Sequence, residues 1–388
     1  MNVKKFTALF LLAVTLFALL SVFPAQNAEA SEPEQIISWF TSGMKVNEAL
    51  ELSPALVSFK RNGNTLDKNE NIATGDTVIT VNGEYTALVV GDVTGNGGAD
   101  KYGYILVKRH CMETYTLSEN ARICADVDKD GSIGKFDYIL IKRSCMGTYT
   151  MALPKNSDGV PVFLYHHMLT DADKNTNKWK GNEITIATSE FRRHLQMIKD
   201  GGYNVVTADE LVAYVRGEIL LPDKSLMICF DDGYKSNTYY AAPILRNFGY
   251  KATVFSIMTF FDGTHQPWYD VDSLQHITRA DLEKCNDVLD QQCHTFNNHN
   301  KLSEQSYAQV LSDLQLAQQC ERYKYFAYPY GDYDAEVIRA VKDAGFLAAF
   351  TTERRNAKPG DNIYEIPRFT ITSPLTDNEY KAFLAHAE

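Results

Sequence analysis

Apolar and polar positions along the chain follow several distinct rules, and each predicts different elements. Phe6 to Val22 is almost purely apolar and follows Lys4 and Lys5. Ala28-Glu29-Ala30 then places small residues where a signal peptidase reads, so residues 1–30 read as a signal peptide cleaved after Ala30. A membrane anchor is the alternative for such a run, and the small-x-small site favours cleavage. No Cys follows the run, which argues against a lipoprotein, and no other segment is apolar and long enough to span a bilayer. The mature protein is expected to be secreted, extracellular or attached at the cell surface.

In residues 36–90 the pattern is alternation. Ile79 and Val81, then Tyr85, Ala87 and Val89, flank Asn82-Gly83, which predicts a β-hairpin in a small β-rich module. From Val160 onward continuous apolar runs alternate with helical periods. Ser225 to Phe230 and Ala252 to Ile257 read as strands buried on both faces, and Leu347 to Phe350 as another strand. Ser189 to Lys199 reads as a helix capped by Ser189 and stopped by Gly201-Gly202. Ala335 to Asp343 reads as a second helix, stopped at Gly345. Repeated strand–helix units imply a parallel sheet or barrel, with polar clusters directly after the strands. Residues 151–159, with Pro154, Asn156, Ser157 and Gly159, read as a linker into this last domain, 160–388.

Residues 91–150 repeat with a period of 34. Gly91 to Asp100 matches Ala125 to Gly134, and Tyr104 to Met112 matches Tyr138 to Met146 as a following helix. In the second copy Asp126, Asp128, Asp130 and Asp137 take loop positions 1, 3, 5 and 12, and Gly131 takes position 6, the oxygen-ligand spacing of an EF-hand-like Ca²⁺ loop. In the first copy Asp92, Thr94, Asn96 and Asp100 are candidate ligands, but Gly103 stands at the twelfth position, so that site is expected to be weaker. One copy alone is as well read as an acidic turn. Two copies, each opening a Leu/Ile-rich helix, favour the calcium loop.

Composition narrows the function. The 388 residues hold 38 Lys+Arg against 49 Asp+Glu, a net charge of −11, with 45% hydrophobic and 12% aromatic residues. That excludes a disordered chain, and the acidic balance argues against sequence-independent nucleic-acid binding. The seven cysteines are odd in number, sparse and without a Cys-x-x-Cys pair, which excludes a disulfide framework and a thiolate zinc site. Most read as small buried apolar residues. Cys111 and Cys145 are equivalent in the repeat and are not expected to pair.

Four clusters carry candidate chemistry. Asp231-Asp232-Gly233 ends a predicted buried strand; adjacent carboxylates there need a metal or a base to balance them, although this tripeptide alone is more often a turn. His294 and His299 share one short loop and, with an Asp, offer two nitrogens and an oxygen to Zn²⁺. His166, after the strand Val160 to Leu164, is a candidate proton donor to a leaving group, or a satisfied core histidine. Tyr328 to Gly331 is a turn, or a place from which a backbone N–H meets an oxyanion. Phe261, Trp268 and Tyr269, near Gly263 and His265, are candidates for stacking on sugar faces or for plain packing.

The repeat resembles a dockerin, the calcium-loop duplicate that attaches secreted glycan-degrading enzymes to cohesin scaffolds. That resemblance implies Ca²⁺ in the loops and a cohesin-bearing scaffold protein as partner. Residues 160–373 resemble the polysaccharide deacetylase (NodB-homology, carbohydrate esterase family 4) domain through Asp231-Asp232-Gly233, His294 with His299, and Tyr328-Pro329-Tyr330-Gly331. The family fold implies a distorted (β/α)7 barrel. Residue by residue, the resemblance implies Asp231 as general base, Asp232, His294 and His299 as ligands of Zn²⁺ or another divalent metal, and the Tyr330 N–H as an oxyanion donor.

Three departures stand out: the second histidine falls one residue late, Ala327 replaces the usual Arg, and the usual late histidine is missing near Ile366 to Phe369. All three resemble the branch that deacetylates poly-N-acetylglucosamine. There the acid maps to His166, and Arg368 is expected to replace the missing Arg and orient Asp231. The expected function is metal-dependent removal of N-acetyl groups from a glycan. The alternatives are an acetylxylan O-deacetylase and a non-catalytic glycan-binding protein.

Overall fold

The computed structural model describes residues 37–127, 132–151, 159–261 and 270–385. The expected signal peptide, Asp128, Asp130 and Gly131 of the second loop, most of the expected linker, and Trp268 and Tyr269 lie outside them. Among the described residues no helix is long and apolar enough to cross a membrane.

A five-stranded sheet comes first: β1 (Ile37–Phe40), β2 (Leu56–Arg61), β3 (Asn64–Thr65), β4 (Thr77–Thr80) and β5 (Glu84–Val89), in the order β1-β5-β4-β2-β3. β4 and β5 form an antiparallel hairpin, with Val78 opposite Tyr85. Its inward face differs from the alternation read in the sequence. Val78 and Thr80 are buried, whereas Val81 is 63% exposed. Val81 lies past the end of β4, in the turn, and β5 is covered on both faces from Thr86 to Val89. Ala87 and Val89 pack on Phe40, Val46 and Phe59, while Leu88 and Val90 pack on Val107, Ala121 and Ile141 of the repeat. A strand covered on both faces loses the alternation that marks an inward side.

The repeat forms the helices Lys101–Cys111, Glu119–Ala125 and Lys135–Cys145. The two equivalent helices begin three residues before the expected starts at Tyr104 and Tyr138. The Asp100 carboxylate explains the first start by accepting the Gly103 N–H, as an N-cap does. Val107 and Ile141, equivalent by the repeat, are both fully buried. None of the seven cysteines is in a disulfide; four are buried, and Cys111 and Cys145 are exposed.

The second sheet is parallel throughout. It contains β6 (Val162–Tyr165), then, past the separate pair β7 (His167–Leu169) and β8 (Thr185–Ala187), β9 (Asn204–Val206), β10 (Ser225–Phe230), β11 (Ala252–Ser256), β12 (Leu289–Cys293), β13 (Tyr325–Ala327), β14 (Ala348–Phe350) and β15 (Phe369–Thr370). Seven strands lie along the path β14-β13-β12-β11-β10-β6-β15, and β9 joins β10 beside it. A parallel bridge from Phe350 to Ile366 brings the segment before β15 next to the opposite edge. The sheet thus curls into a half-barrel of the distorted β/α type. Every residue of β10 is buried. Leu226, Ile228 and Phe230 pack under Phe191, Leu245 and Tyr380, while Met227 and Cys229 join Phe255, Tyr325 and Phe350 on the other face.

The helix Thr188–Asp200 ends at Gly201 as expected, but Ser189 is not its cap. The cap position falls to Ala187, and the Ser189 amide and hydroxyl both turn to the Asp171 carboxylate. The first sheet is joined to the barrel rather than strung from it. Glu218, fully buried, accepts from Tyr85 Oη and Asn82 Nδ2, and the Trp39 N–H donates to the Leu220 carbonyl at 3.2 Å.

Candidate active site

The clusters meet at the ends of the strands. Asp231 follows β10, His294 follows β12, Tyr330 follows β13, and His166 follows β6. With Leu164, Ile184, Thr352 and Thr370 they line one cavity of about 340 Å³. Carboxyl ends of parallel strands are where barrel loops converge, so residues distant in sequence become neighbours there.

Asp231 is held rigidly. Arg368, fully buried, meets it with two parallel bonds, Nη1 to Oδ1 at 2.7 Å and Nη2 to Oδ2 at 2.8 Å. Arg368 Nε donates to the Thr351 carbonyl at 2.8 Å, which fixes the fork. Burial alone would raise the Asp231 pKa, but the Arg368 charge outweighs it and holds the carboxyl below its usual range. The same pair lifts the Arg368 pKa despite burial.

Asp232, next in the chain, faces the histidines. His299 Nε2 lies 3.0 Å and His294 Nε2 3.5 Å from Asp232 Oδ1. The two Nε2 atoms are 3.2 Å apart. His294 Nδ1 is 2.7 Å from the Ala327 carbonyl, so it carries the proton and leaves the Nε2 lone pair toward Asp232. Two imidazole nitrogens and a carboxylate oxygen therefore converge as a cation would require. Among the described residues this is the one His/Cys/Asp/Glu group with ligand atoms so clustered. Burial pushes Asp232 up, but the two histidines outweigh it and hold it well below its usual range. Burial pushes His294 down, but Asp231 and Asp232 leave it raised.

Three non-glycine residues here have left-handed backbone: Asp232 (φ 68°), Thr295 (φ 95°) and Tyr330 (φ 60°). Such strain concentrates where geometry is over-determined by its surroundings. Gly233 is required sterically, since a Cβ there would lie 2.4 Å from Ser256 Oγ. Tyr330 is exposed, with its ring centroid 5.0 Å from that of His299. His166 is half-buried, and burial lowers its pKa even against the pull of Asp232 and Asp231.

The structure places several groups that sequence reasoning missed. The Asp313 carboxylate accepts the N–H groups of Phe296, Asn297 and Asn298 and so shapes the loop carrying His299. It lies a helix away in sequence, with nothing to tie it to the histidines. His276 Nδ1 is 2.9 Å from the Asp232 carbonyl, and Phe260 stacks on its ring at 4.0 Å. Phe261, singled out for sugar stacking, is buried and packs under Arg279 instead.

The calcium-loop candidates lie apart from this cavity. Asp92, buried, accepts from Thr74, Asn96 and Gly97 N–H groups. Asp100 accepts from Thr94 Oγ1 at 2.8 Å and from Asn96 Nδ2. Asp137 accepts the N–H groups of Val127 and Gly134, each at 2.7 Å. Asp126 is half-buried beside Ile123 and Trp39.

Residues 220–349 match the polysaccharide deacetylase family. The Bacillus subtilis (strain 168) protein YxkH, named provisionally as a polysaccharide deacetylase, is 24% identical over 234 residues, covering 58% of this chain and 76% of the relative. A poly-beta-1,6-N-acetyl-D-glucosamine N-deacetylase of Staphylococcus aureus is 26% identical over 210 residues, covering 51% and 71%. Among solved structures, the Streptococcus pyogenes deacetylase PplD in complex with acetate matches with a TM-score of 0.50 at 20% identity, covering 59% of this chain and 98% of that one. A de-N-acetylase from Aggregatibacter actinomycetemcomitans matches with a TM-score of 0.50 at 19% identity, covering 58% and 99%. At these identities the two structures establish the shared fold.

Proposed function

We propose, from the premise that this chain carries a polysaccharide deacetylase domain, that the domain removes N-acetyl groups from an N-acetylglucosamine-containing glycan, releasing acetate and leaving a free amine. The observation that carries the reading is the division of labour between two adjacent carboxylates. Asp231 is locked to Arg368, while Asp232 turns to the two histidines.

Asp232, His294 and His299 fit Zn²⁺ or another divalent transition metal, since two imidazole nitrogens, that of His294 fixed by the Ala327 carbonyl, and a carboxylate oxygen are its ordinary donors. Such an ion, when bound, supplies Lewis acidity and lowers the pKa of a coordinated water. The chain's own residues do the rest. Asp231 accepts the proton of the attacking water. Arg368 keeps Asp231 ionised and aimed, so the base is ready at neutral pH. The Tyr330 N–H meets the oxyanion that develops on the acetyl carbonyl. His166 donates its proton to the departing sugar amine; burial lowers its pKa, which strengthens the ring as an acid while disfavouring the protonated form the step draws on.

The Staphylococcus aureus relative supports the amino sugar as substrate. An acetylxylan O-deacetylase would use the same residues. Acetate release from β-1,6-linked N-acetylglucosamine oligomers and from acetylated xylan, run in parallel with added Zn²⁺ or Co²⁺, separates the two. The N-deacetylase reading expects acetate and free amine from the first and nothing from the second. Release from xylan alone overturns it.

One observation supports a docking role for the repeat. Tyr102, Ile105, Met112 and Tyr115 are exposed, and so are Phe136, Ile139, Met146 and Tyr149, their equivalents 34 residues on. An apolar surface written twice is the expected form of a face kept for a partner. The dockerin resemblance names that partner as a cohesin-bearing scaffold, with Ca²⁺ in the loops and the protein outside the cell. Capture by a cohesin domain in Ca²⁺, lost on chelation, is the expected result; no capture in either condition removes the docking role.

A further inference from the structure

Resting on the deacetylase reading, we propose that Asn237 is a positioning residue for His166. His166 is the single residue between β6, which pairs within the large sheet, and β7, which leaves it to pair with β8. Its ring lines the cavity, yet its buried Nδ1 has no hydrogen-bond partner among the described residues. His294 differs, since the Ala327 carbonyl fixes its Nδ1. Among the described residues no bond to the buried side of the His166 imidazole sets its direction, which leaves that to the backbone carrying the ring.

That backbone is clamped just after the ring by two consecutive residues. Asn237 Nδ2 donates to the His166 carbonyl at 2.7 Å, and Ser236 Oγ accepts the Met168 N–H at 3.1 Å. Both residues are fully buried. Among the described residues Asn237 Oδ1 is buried without a hydrogen-bond partner, so the side chain holds its Nδ2 bond at the cost of one unmet acceptor. It opens the one-turn π-helical segment Asn237–Ala241, a form of turn frequent at functional sites. The clamp follows Asp231 and Asp232 by only a few residues. One short stretch therefore sets the base, a metal ligand and, through Asn237, the acid in a common frame. Misplacing a reacting group by about 1 Å costs on the order of 100-fold in rate, which is what such a frame prevents.

The test compares Asn237→Leu, which keeps the volume and drops the amide, in wild-type and His166→Ala backgrounds. On N-acetylglucosamine oligomers Asn237→Leu is expected to lower kcat about 10- to 100-fold with KM within about twofold. In the His166→Ala background the same change is expected to cost less than about twofold, because it acts through the missing ring. Co²⁺ affinity is expected to stay as in the wild type. In metal-free protein the His166 ring proton, identified by its absence in His166→Ala, is expected to shift or broaden in Asn237→Leu. Equal losses in both backgrounds, or an unmoved His166 signal with full turnover, overturns the proposal. If Asn237→Leu does not fold, Ser236→Ala tests the other jaw by the same cycle. If the wild type releases no acetate, the deacetylase reading fails, and the ring signal still decides the clamp.

Discussion

The barrel mouth and the paired helices both depend on hydrogen-bonded aspartates, and they satisfy them in different ways. In the repeat, Asp137 takes its partners from Val127 and Gly134, within its own loop and helix start. Asp100 likewise caps its own helix. In the mouth, Asp231 draws on Arg368 from 137 residues away, and Asp232 on histidines from another strand. A carboxylate closed by nearby N–H groups is set by its own stretch of chain and stabilises a turn. A carboxylate closed by charges from distant strands exists only when the barrel is folded, and its charge is set for chemistry.

That contrast can be broken in order of size. Replacing His294 by Ala removes one donor of the ligand group, and the expected loss of acetate release exceeds about a thousand-fold, with metal affinity lost in parallel by titration. Retained Co²⁺ binding in that variant would detach the cluster from the metal. Next, Arg368→Ala leaves Asp231 as an unpaired buried carboxylate. The expected cost is about 3–5 kcal/mol of stability in denaturant unfolding, with turnover falling as well. A folded variant of unchanged stability and rate would show that the pair orients nothing.

A third test uses pH. His194 is fully buried, stacked on Tyr380 at 3.9 Å, and burial drops its pKa to about 3. The folded state therefore refuses a proton that the unfolded state accepts near 6.5. Stability from this residue is complete above about pH 6.5 and is lost progressively as pH falls toward 3. His194→Gln is expected to flatten the stability–pH curve across that window, and an unchanged slope would contradict the assignment. The smallest effect belongs to the repeat. Ser118→Ala removes the cap on the Ala121 N–H and is expected to cost about 1 kcal/mol with acetate release unaltered.

The contrast also explains what was legible in the sequence. β10 was readable because a strand buried on both faces is a nearly continuous apolar run, here Leu226 to Phe230. The repeat was readable because its capping and loop spacings are local. Asp231, Asp232, His294 and His299 were readable as a set only through a family resemblance, because a run of residues carries no distances. The exposure of Val81 was misread because the strand ends at Thr80, and alternation alone does not mark where a strand gives way to its turn. Ser189 was misassigned as a cap because Asp171 competes for its hydroxyl. Asp313 and Asn237 left no trace at all, since each acts through main-chain groups that any residue supplies.

The most direct test of the account is the turnover of Asp231→Asn on N-acetylglucosamine oligomers, followed as acetate by proton NMR beside the wild type. The substitution keeps the shape and removes the base. The account predicts metal binding as in the wild type and acetate release lowered by at least about a hundredfold. Near-native release from a folded, metal-binding Asp231→Asn protein would contradict it.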